Sequence, residues 1–173
     1  MPHPTPDIFD VVDEHDRVLH QETRAEVHRR RLLHRAVHIL VFNSPGQVYL
    51  QRRSLIKDTF PGRWTTSCSG HVDAGETYDY AALRELTEEL GLHPAPSAIH
   101  PFFKHPPCRS TGWEFIWIYS LTTDAPITPD PAEVSEGRWL PTPELTAWMA
   151  AEPRAFTPSF LLVWKLWLEK HPA

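Results

Sequence analysis

The chain has 173 residues, of which 41% are hydrophobic and seven are tryptophan; this is enough apolar material to bury one core and excludes a disordered or staple-dependent mini-protein. A formal net charge of -5 with the histidines neutral removes the basic footprint of a nucleic-acid binder. The longest apolar run, Phe160 to Leu168, is interrupted by Lys165 and is too short to span a bilayer. The opening MPHPTPDIFD lacks a charged segment followed by an apolar one, so no signal peptide is expected. Cys68 and Cys108 have no metal or disulfide spacing and fit a reducing compartment. The expectation is a cytoplasmic protein with no membrane or nucleic-acid partner.

In chain order, residues 1–7 are a proline-rich tail expected to be disordered, and residues 8–173 are expected to form one domain. Ile8 to Val12 and Arg17 to Gln21 flank the polar turn Asp13-Glu14-His15-Asp16, which predicts a hairpin. Thr23 to Leu33 is charged, and predicts a helix or a loop across a sheet edge. Ala36 to Phe42 predicts a buried strand, Asn43-Ser44-Pro45-Gly46 a turn, and Val48 to Arg52 the strand that returns as its partner. A loop from Ser54 to Arg63 leads into a predicted strand from Trp64 to Ser69, which delivers the chain to Gly70. Beyond Gly91, a proline-rich loop from His93 to Pro107 carries a short strand at 99–104. Trp113 to Leu121, alternating aromatic and β-branched residues, has the strongest strand pattern of the chain. A second proline-rich loop, Asp124 to Ser135, precedes a strand at Gly137 to Leu140. Helices are predicted at Pro143 to Ala151 and Ser159 to Lys170. Strands, one central helix, more strands and a terminal helix indicate a mixed α/β sandwich.

The stretch with the most chemistry in it runs from Gly70 to Leu92, GHVDAGETYDYAALRELTEELGL. Apolar residues at 82, 83, 86 and 90 recur at helical spacing, with Thr77 as the cap and Gly91 as a left-handed stop. On that helix Glu85, Glu88 and Glu89 stand at i, i+3 and i+4, so three carboxylates share one face. Two like charges about 4 Å apart repel by roughly 4 kcal/mol at an effective dielectric near 20. A cation relieves that repulsion, and an all-oxygen ligand set suits Mg²⁺ or Mn²⁺ better than zinc. Glu76 reaches the same end through the Gly70 to Gly75 loop. The bland alternative is a solvated acidic face with an Arg84 to Glu88 pair.

Glycine, five residues, Glu76, seven residues, then Arg84-Glu85-Leu86-x-Glu88-Glu89-x-Gly91-Leu92 resembles the signature of the Nudix superfamily, with every specified position filled. His34-Arg35-Ala36-Val37, Gln51-Arg52-Arg53-Ser54 with Lys57, Pro61-Gly62-x-Trp64, Gly70-His71-Val72 and Ala155-Phe156-Thr157-Pro158 are similar to the branch related to isopentenyl-diphosphate isomerase. The resemblance covers roughly residues 8–168. It implies a Nudix-type α/β/α sandwich with a mixed central sheet, and divalent metal held on Glu85, Glu88 and Glu89, with Arg84 orienting one of them. It also implies a further acid from outside the motif, for which Glu114 is the candidate. A small-molecule diphosphate is the implied substrate, and homodimers are common among relatives.

Two chemistries live on this scaffold. The isomerase needs a cysteine immediately before the glycine of its Gly-His pair, where this chain has Ser69; Cys68 is one residue away and should face the other side of its strand. The isomerase motif is also degraded, whereas this one is intact. Of the isomerase's metal-binding histidines, His34 and His71 have counterparts, and the third falls near Val27 with His28 out of register by one. His34 and His71 therefore either hold a second metal or are structural hydrogen-bonders. The leading expectation is hydrolysis of a diphosphate linked to another moiety, with Glu85 or Glu89 as general base and Glu133 or Glu136 as loop alternatives. Arg52 and Arg53 either hold a phosphate or are exposed strand ends. A non-catalytic nucleotide-binding domain is the remaining reading, disfavoured by the intact trio. Any of Trp113, Trp117 and Trp139 could stack on a substrate base, but strand-start tryptophans are usually core.

Overall fold

The structure is a computed structural model and describes residues 7–171; the tail expected to be disordered lies, except for Asp7, outside the described residues. In chain order the elements are β1 (Ile8–Val12), β2 (Val18–Thr23), α1 (Arg24–Arg30), β3 (His34–Phe42), β4 (Gln47–Arg53), β5 (Trp64–Thr65), β6 (Cys68–His71), α2 (Tyr78–Leu90), β7 (Ile99–His105), β8 (Glu114–Thr122), β9 (Val134–Pro141), α3 (Thr142–Ala151) and α4 (Pro158–Lys170). Short 3-10 turns at Pro96–Ala98 and Pro153–Ala155 complete them.

β3 is buried along almost its whole length, and its alternation decides the layers. Val37, Ile39 and Val41 face a core built with Ala82, Leu86 and Leu90 of α2, joined by Tyr119 and Leu121 of β8. Ala36, Leu40 and Phe42 face the opposite core, closed by Leu145 of α3 and Phe160, Val163 and Trp164 of α4. Helices therefore cover both faces of a mixed sheet: the mixed α/β sandwich of the element pattern, in the α/β/α arrangement that the resemblance implies. No helix among the described residues is long and apolar enough to cross a membrane.

Strand pairing departs from the sequence pattern in two places. β4 does not return along β3: the two meet only at Phe42↔Val48, and β4 instead runs antiparallel to β9 and β5. The expected single strand from Trp64 to Ser69 is broken into β5, which pairs with β4, and β6, which pairs with β3. Thr66 and Ser67 carry the chain across the gap. The Ser67 hydroxyl accepts from the Val41 amide at 2.8 Å and donates to the Tyr49 carbonyl at 2.5 Å, satisfying backbone groups that the splayed strands leave unpaired.

Three registers set up the site. β3 and β8 run parallel with His34 opposite Glu114, β6 runs antiparallel to β3 with His71 opposite Ala36, and the β1–β2 hairpin crosses the Gly70 to Glu76 loop through a bridge from Phe9 to Asp73. The Ala74 amide donates to the Ile8 carbonyl at 2.9 Å and the Gly75 amide to Asp10 at 3.0 Å. The charged segment Thr23 to Leu33 resolves into α1, capped by the Thr23 hydroxyl.

Candidate functional site

Helix α2 has its predicted cap and stop: the Thr77 hydroxyl accepts from the Tyr80 amide at 3.2 Å, and Gly91 ends the helix at φ +65°. Of its three acids, Glu85 and Glu89 are buried while the Glu88 side chain is 59% exposed. Gly70 explains how Glu85 fits. A Cβ at that position would sit 2.0 Å from the Glu85 carboxyl carbon, so only glycine lets the carboxylate lie against β6.

Arg84 holds the acids together. Its guanidinium donates to both oxygens of Glu76 at 2.9 Å, to Glu85 at 2.7 Å, to Glu88 at 3.1 Å and to the His71 carbonyl at 3.0 Å. Glu89 has no arginine; Gln51 Nε2 donates to it at 3.0 Å and the Ser69 amide at 3.3 Å. Burial, and then the charge of Glu89, push Glu85 up to about 8 against the pull of Arg84. Burial also raises Glu89. Two buried acids with one guanidinium between them are short of positive charge, and the donors are all carboxylate oxygens. That combination fits a hard divalent ion.

A second group forms beside the first. Nε2 of His71 lies 3.0 Å from Glu114 Oε1, Nε2 of His34 lies 3.3 Å from the same oxygen, and Nε2 of His28 lies 3.3 Å from Nε2 of His71. One ligand atom from each of His28, His34, His71 and Glu114 lies within 4.8 Å of every other. The Phe9 ring stacks on His71 at 4.6 Å and packs parallel to His34 at 5.8 Å, closing one side. Although burial opposes it, the neighbouring imidazoles of His34 and His71 hold Glu114 well below the ordinary carboxylate range. Burial, then the charges of His71 and His34, lower His28 to about 4, so its imidazole is neutral at pH 7 with a lone pair free. His34 Nε2 is buried without a hydrogen-bond donor or acceptor in place. An orphaned imidazole nitrogen among two more imidazoles and a carboxylate is a donor set suited to a transition-metal ion.

The sequence pointed to His34, His71 and Glu114 but set His28 aside as out of register. Packing decides that register. Val27 is fully buried against Phe9, Val11 and Leu32, which turns its neighbour His28 toward the cavity. Glu114, expected beside the helix acids, stands instead with the histidines because the parallel β3–β8 register sets it opposite His34.

Glu85, Glu88 and Glu89 line one cavity of about 950 Å³ together with His28, His71 and Glu114; His34 is buried behind them. Arg53 and Lys57 contribute cationic groups to its wall, and Glu133 lies there with Lys57 paired to it. Arg52 does not reach it: strand alternation sends that side chain the other way, to the Gly62 carbonyl at 2.9 Å and to Glu136. Glu136 is likewise outside the cavity, tied to Arg138 at 2.7 Å. Among the described residues four non-glycine residues have left-handed φ, and three of them, Arg31, Phe60 and Trp113, line this cavity. Phe60 and Trp113 are 44% and 39% exposed, so two strained aromatics sit at the rim. Trp117 and Trp139 are half-buried in the α2-side core.

β6 alternates as expected. Ser69 lines the cavity, whereas Cys68 is fully buried on the α2 side and burial raises its thiol well above the usual range.

Residues 32–160 match the family model of the NUDIX domain. An uncharacterized Nudix hydrolase of Pseudomonas aeruginosa is 40% identical over 91% of this chain and 91% of its own length. An isopentenyl-diphosphate Delta-isomerase of Nocardia farcinica is 38% identical over 86% of this chain and 87% of its own. Among solved structures, the crystal structure of DR0079 from Deinococcus radiodurans superposes with a TM-score of 0.73 and 33% identity, covering 84% of this chain and 90% of that one.

Proposed function

The chain belongs to the Nudix family, whose hydrolases act on pyrophosphate-containing substrates, and from that premise we propose that it is a divalent-metal-dependent enzyme cleaving the P–O–P link of a small-molecule diphosphate. The observation that carries the reading is the buried pair of Glu85, pressed against Gly70, and Glu89, both facing the cavity that Arg53 and Lys57 also line. Glu85, Glu88 and Glu89 would hold Mg²⁺ or Mn²⁺. When bound, such an ion polarises phosphate oxygens and lowers the pKa of a coordinated water. Arg84 keeps Glu85 and Glu88 converged. Arg53 and Lys57 bind and orient phosphate oxygens. Glu85 or Glu89 accepts the proton of the attacking water. Glu133 is the loop alternative, and a phosphate that draws Lys57 away would free its carboxylate. His28, His34, His71 and Glu114 would hold a second ion. The free thiols of Cys68 and Cys108 support a cytoplasmic location.

The test is a panel of nucleoside diphosphates, triphosphates, dinucleotides, nucleotide sugars and other diphosphates with Mg²⁺ or Mn²⁺ and product identification. Phosphate or nucleotide release that disappears in Glu85→Gln and Glu89→Gln is expected; no release from any member overturns the reading.

A second reading, isomerisation of isopentenyl diphosphate, draws support from the histidine group and the Nocardia relative. Against it, the cavity position that would need a thiol carries the Ser69 hydroxyl, and Cys68 lies buried behind it. Deuterium exchange into isopentenyl diphosphate, lost in Cys68→Ala, would establish this reading in place of hydrolysis.

A further inference from the structure

Glu85 and Glu89 are both buried, but they are held by different chemistry. Glu85 takes a guanidinium, which cancels charge. Glu89 takes neutral donors only: Gln51 Nε2 at 3.0 Å and the Ser69 amide at 3.3 Å, both on the same oxygen, Oε2. The Cys68 thiol, also neutral, is a further hydrogen-bonding neighbour, so no cation is set against the carboxylate, and neither Gln51 nor Ser69 occupies Oε1. Gln51 is itself 4% exposed, and its side-chain oxygen is buried without a partner. An amide satisfied at one end alone is a poor way to stabilise a core, because the unpaired carbonyl oxygen keeps its desolvation cost. The amide cannot be turned over, since that would set its oxygen against the carboxylate. β4 then places Arg53, two residues further on the same face of the strand, in the cavity wall.

We infer that Gln51 is a positioning residue for the metal site: its amide fixes Glu89 by Oε2 so that Oε1 is presented to the ion. The inference rests on the reading of Glu85, Glu88 and Glu89 as ligands, and assigns Gln51 a part in ion affinity that its contacts with the substrate cavity do not, since it is absent from the cavity lining. An arginine at 51 would hold Glu89 more firmly but neutralise it. An amide holds it and leaves the charge for the ion.

Mn²⁺ affinity, read from the electron paramagnetic resonance of free Mn²⁺, tests this in wild type, Gln51→Met and Gln51→Leu, all carrying His34→Ala so that the histidine group does not contribute. Both substitutions are expected to weaken Mn²⁺ binding by about ten-fold or more, while the metal-free thermal midpoint stays equal or rises because a half-satisfied buried amide is gone. Hydrolytic turnover lost at low Mn²⁺ should return as Mn²⁺ is raised. Unchanged Mn²⁺ affinity in both variants, or a lowered metal-free midpoint with turnover that no Mn²⁺ concentration restores, overturns the inference. Failure of the underlying reading is distinguishable: there Glu89→Gln itself leaves Mn²⁺ affinity unchanged.

Discussion

At the scale of single residues, the site separates side chains that share a strand or a helical turn but not a task. Arg52 and Arg53 are neighbours, yet only Arg53 faces the cavity; Cys68 and Ser69 are neighbours, yet only Ser69 does. Sequence alone left the first pair joined and divided the second, since the alternation of a strand is predictable but its absolute phase is set by the sheet it joins. Trp113 shows the same limit. It reads as the start of a strand, but lies in a turn at φ +69°, with the Thr111 hydroxyl accepting from the Cys108 amide at 3.0 Å and donating to the Glu114 carbonyl at 2.9 Å. That strain is expected to serve substrate contact. Trp113→Ala should raise KM for the best substrate by about ten-fold, the order of one lost stacking contact, with kcat little changed; steady-state kinetics of the variant checks it. Glu85→Gln, by contrast, should lower kcat by about a hundred-fold or more, as loss of a charged group at the reacting centre does.

At the scale of elements, α2 carries two buried acids that oppose its stability. Folding raises the pKa of Glu85 to about 8 from 4.5, and that of Glu89 in the same direction, chiefly through burial. For acids raised in the folded state, stability is fully present below the unfolded value and is lost as pH rises through the folded one. Metal-free protein should therefore lose thermal stability between about pH 4.5 and 8, and saturating Mn²⁺ should restore it. Calorimetry at two pH values, with and without metal, reads both effects. In a His34→Ala background, Glu85→Gln should raise the metal-free midpoint at pH 8 while abolishing the Mn²⁺ response; a midpoint below that of His34→Ala alone would show that Glu85 is held by Arg84 for stability alone. The break between β5 and β6 is a second element-scale feature. Ser67→Ala leaves the buried Val41 amide without its acceptor and should cost about 1–3 kcal/mol by denaturant unfolding.

At the scale of the whole molecule, the hairpin β1–β2 is fastened to the sandwich through Asp16. Its carboxylate accepts from Arg35 of β3 at 2.6 Å and from the Tyr78 hydroxyl of α2 at 2.9 Å, and it pairs with Lys104 of β7. Burial opposes ionisation, but hydrogen bonds from Lys104 and Arg35 win and lower its pKa from 3.8. A lowered acid adds stability above the unfolded value that is lost as pH falls through the folded one. Asp16→Asn should cost about 2 kcal/mol at pH 7, in the range of hydrogen bonds to charged groups, and its difference from wild type should shrink below about pH 3.8; equal unfolding curves at pH 7 would refute the fastening role. Because that hairpin also carries Phe9 over His71, Asp16→Asn should loosen the histidine group as well. By itself the sequence determined the local things: the capped helix of Gly70 to Leu92, the spacing that gathers Glu85, Glu88 and Glu89, the alternation of β3 and β8, and the likeness to a family built on that motif. Only the tertiary structure decided that β4 leaves β3 for β9, that Val27 takes the core and turns His28 into the cavity, and that Glu114 joins the histidines. Helical and strand periodicity are properties of a few consecutive residues, whereas pairing register and phase are settled by packing between segments far apart in the chain.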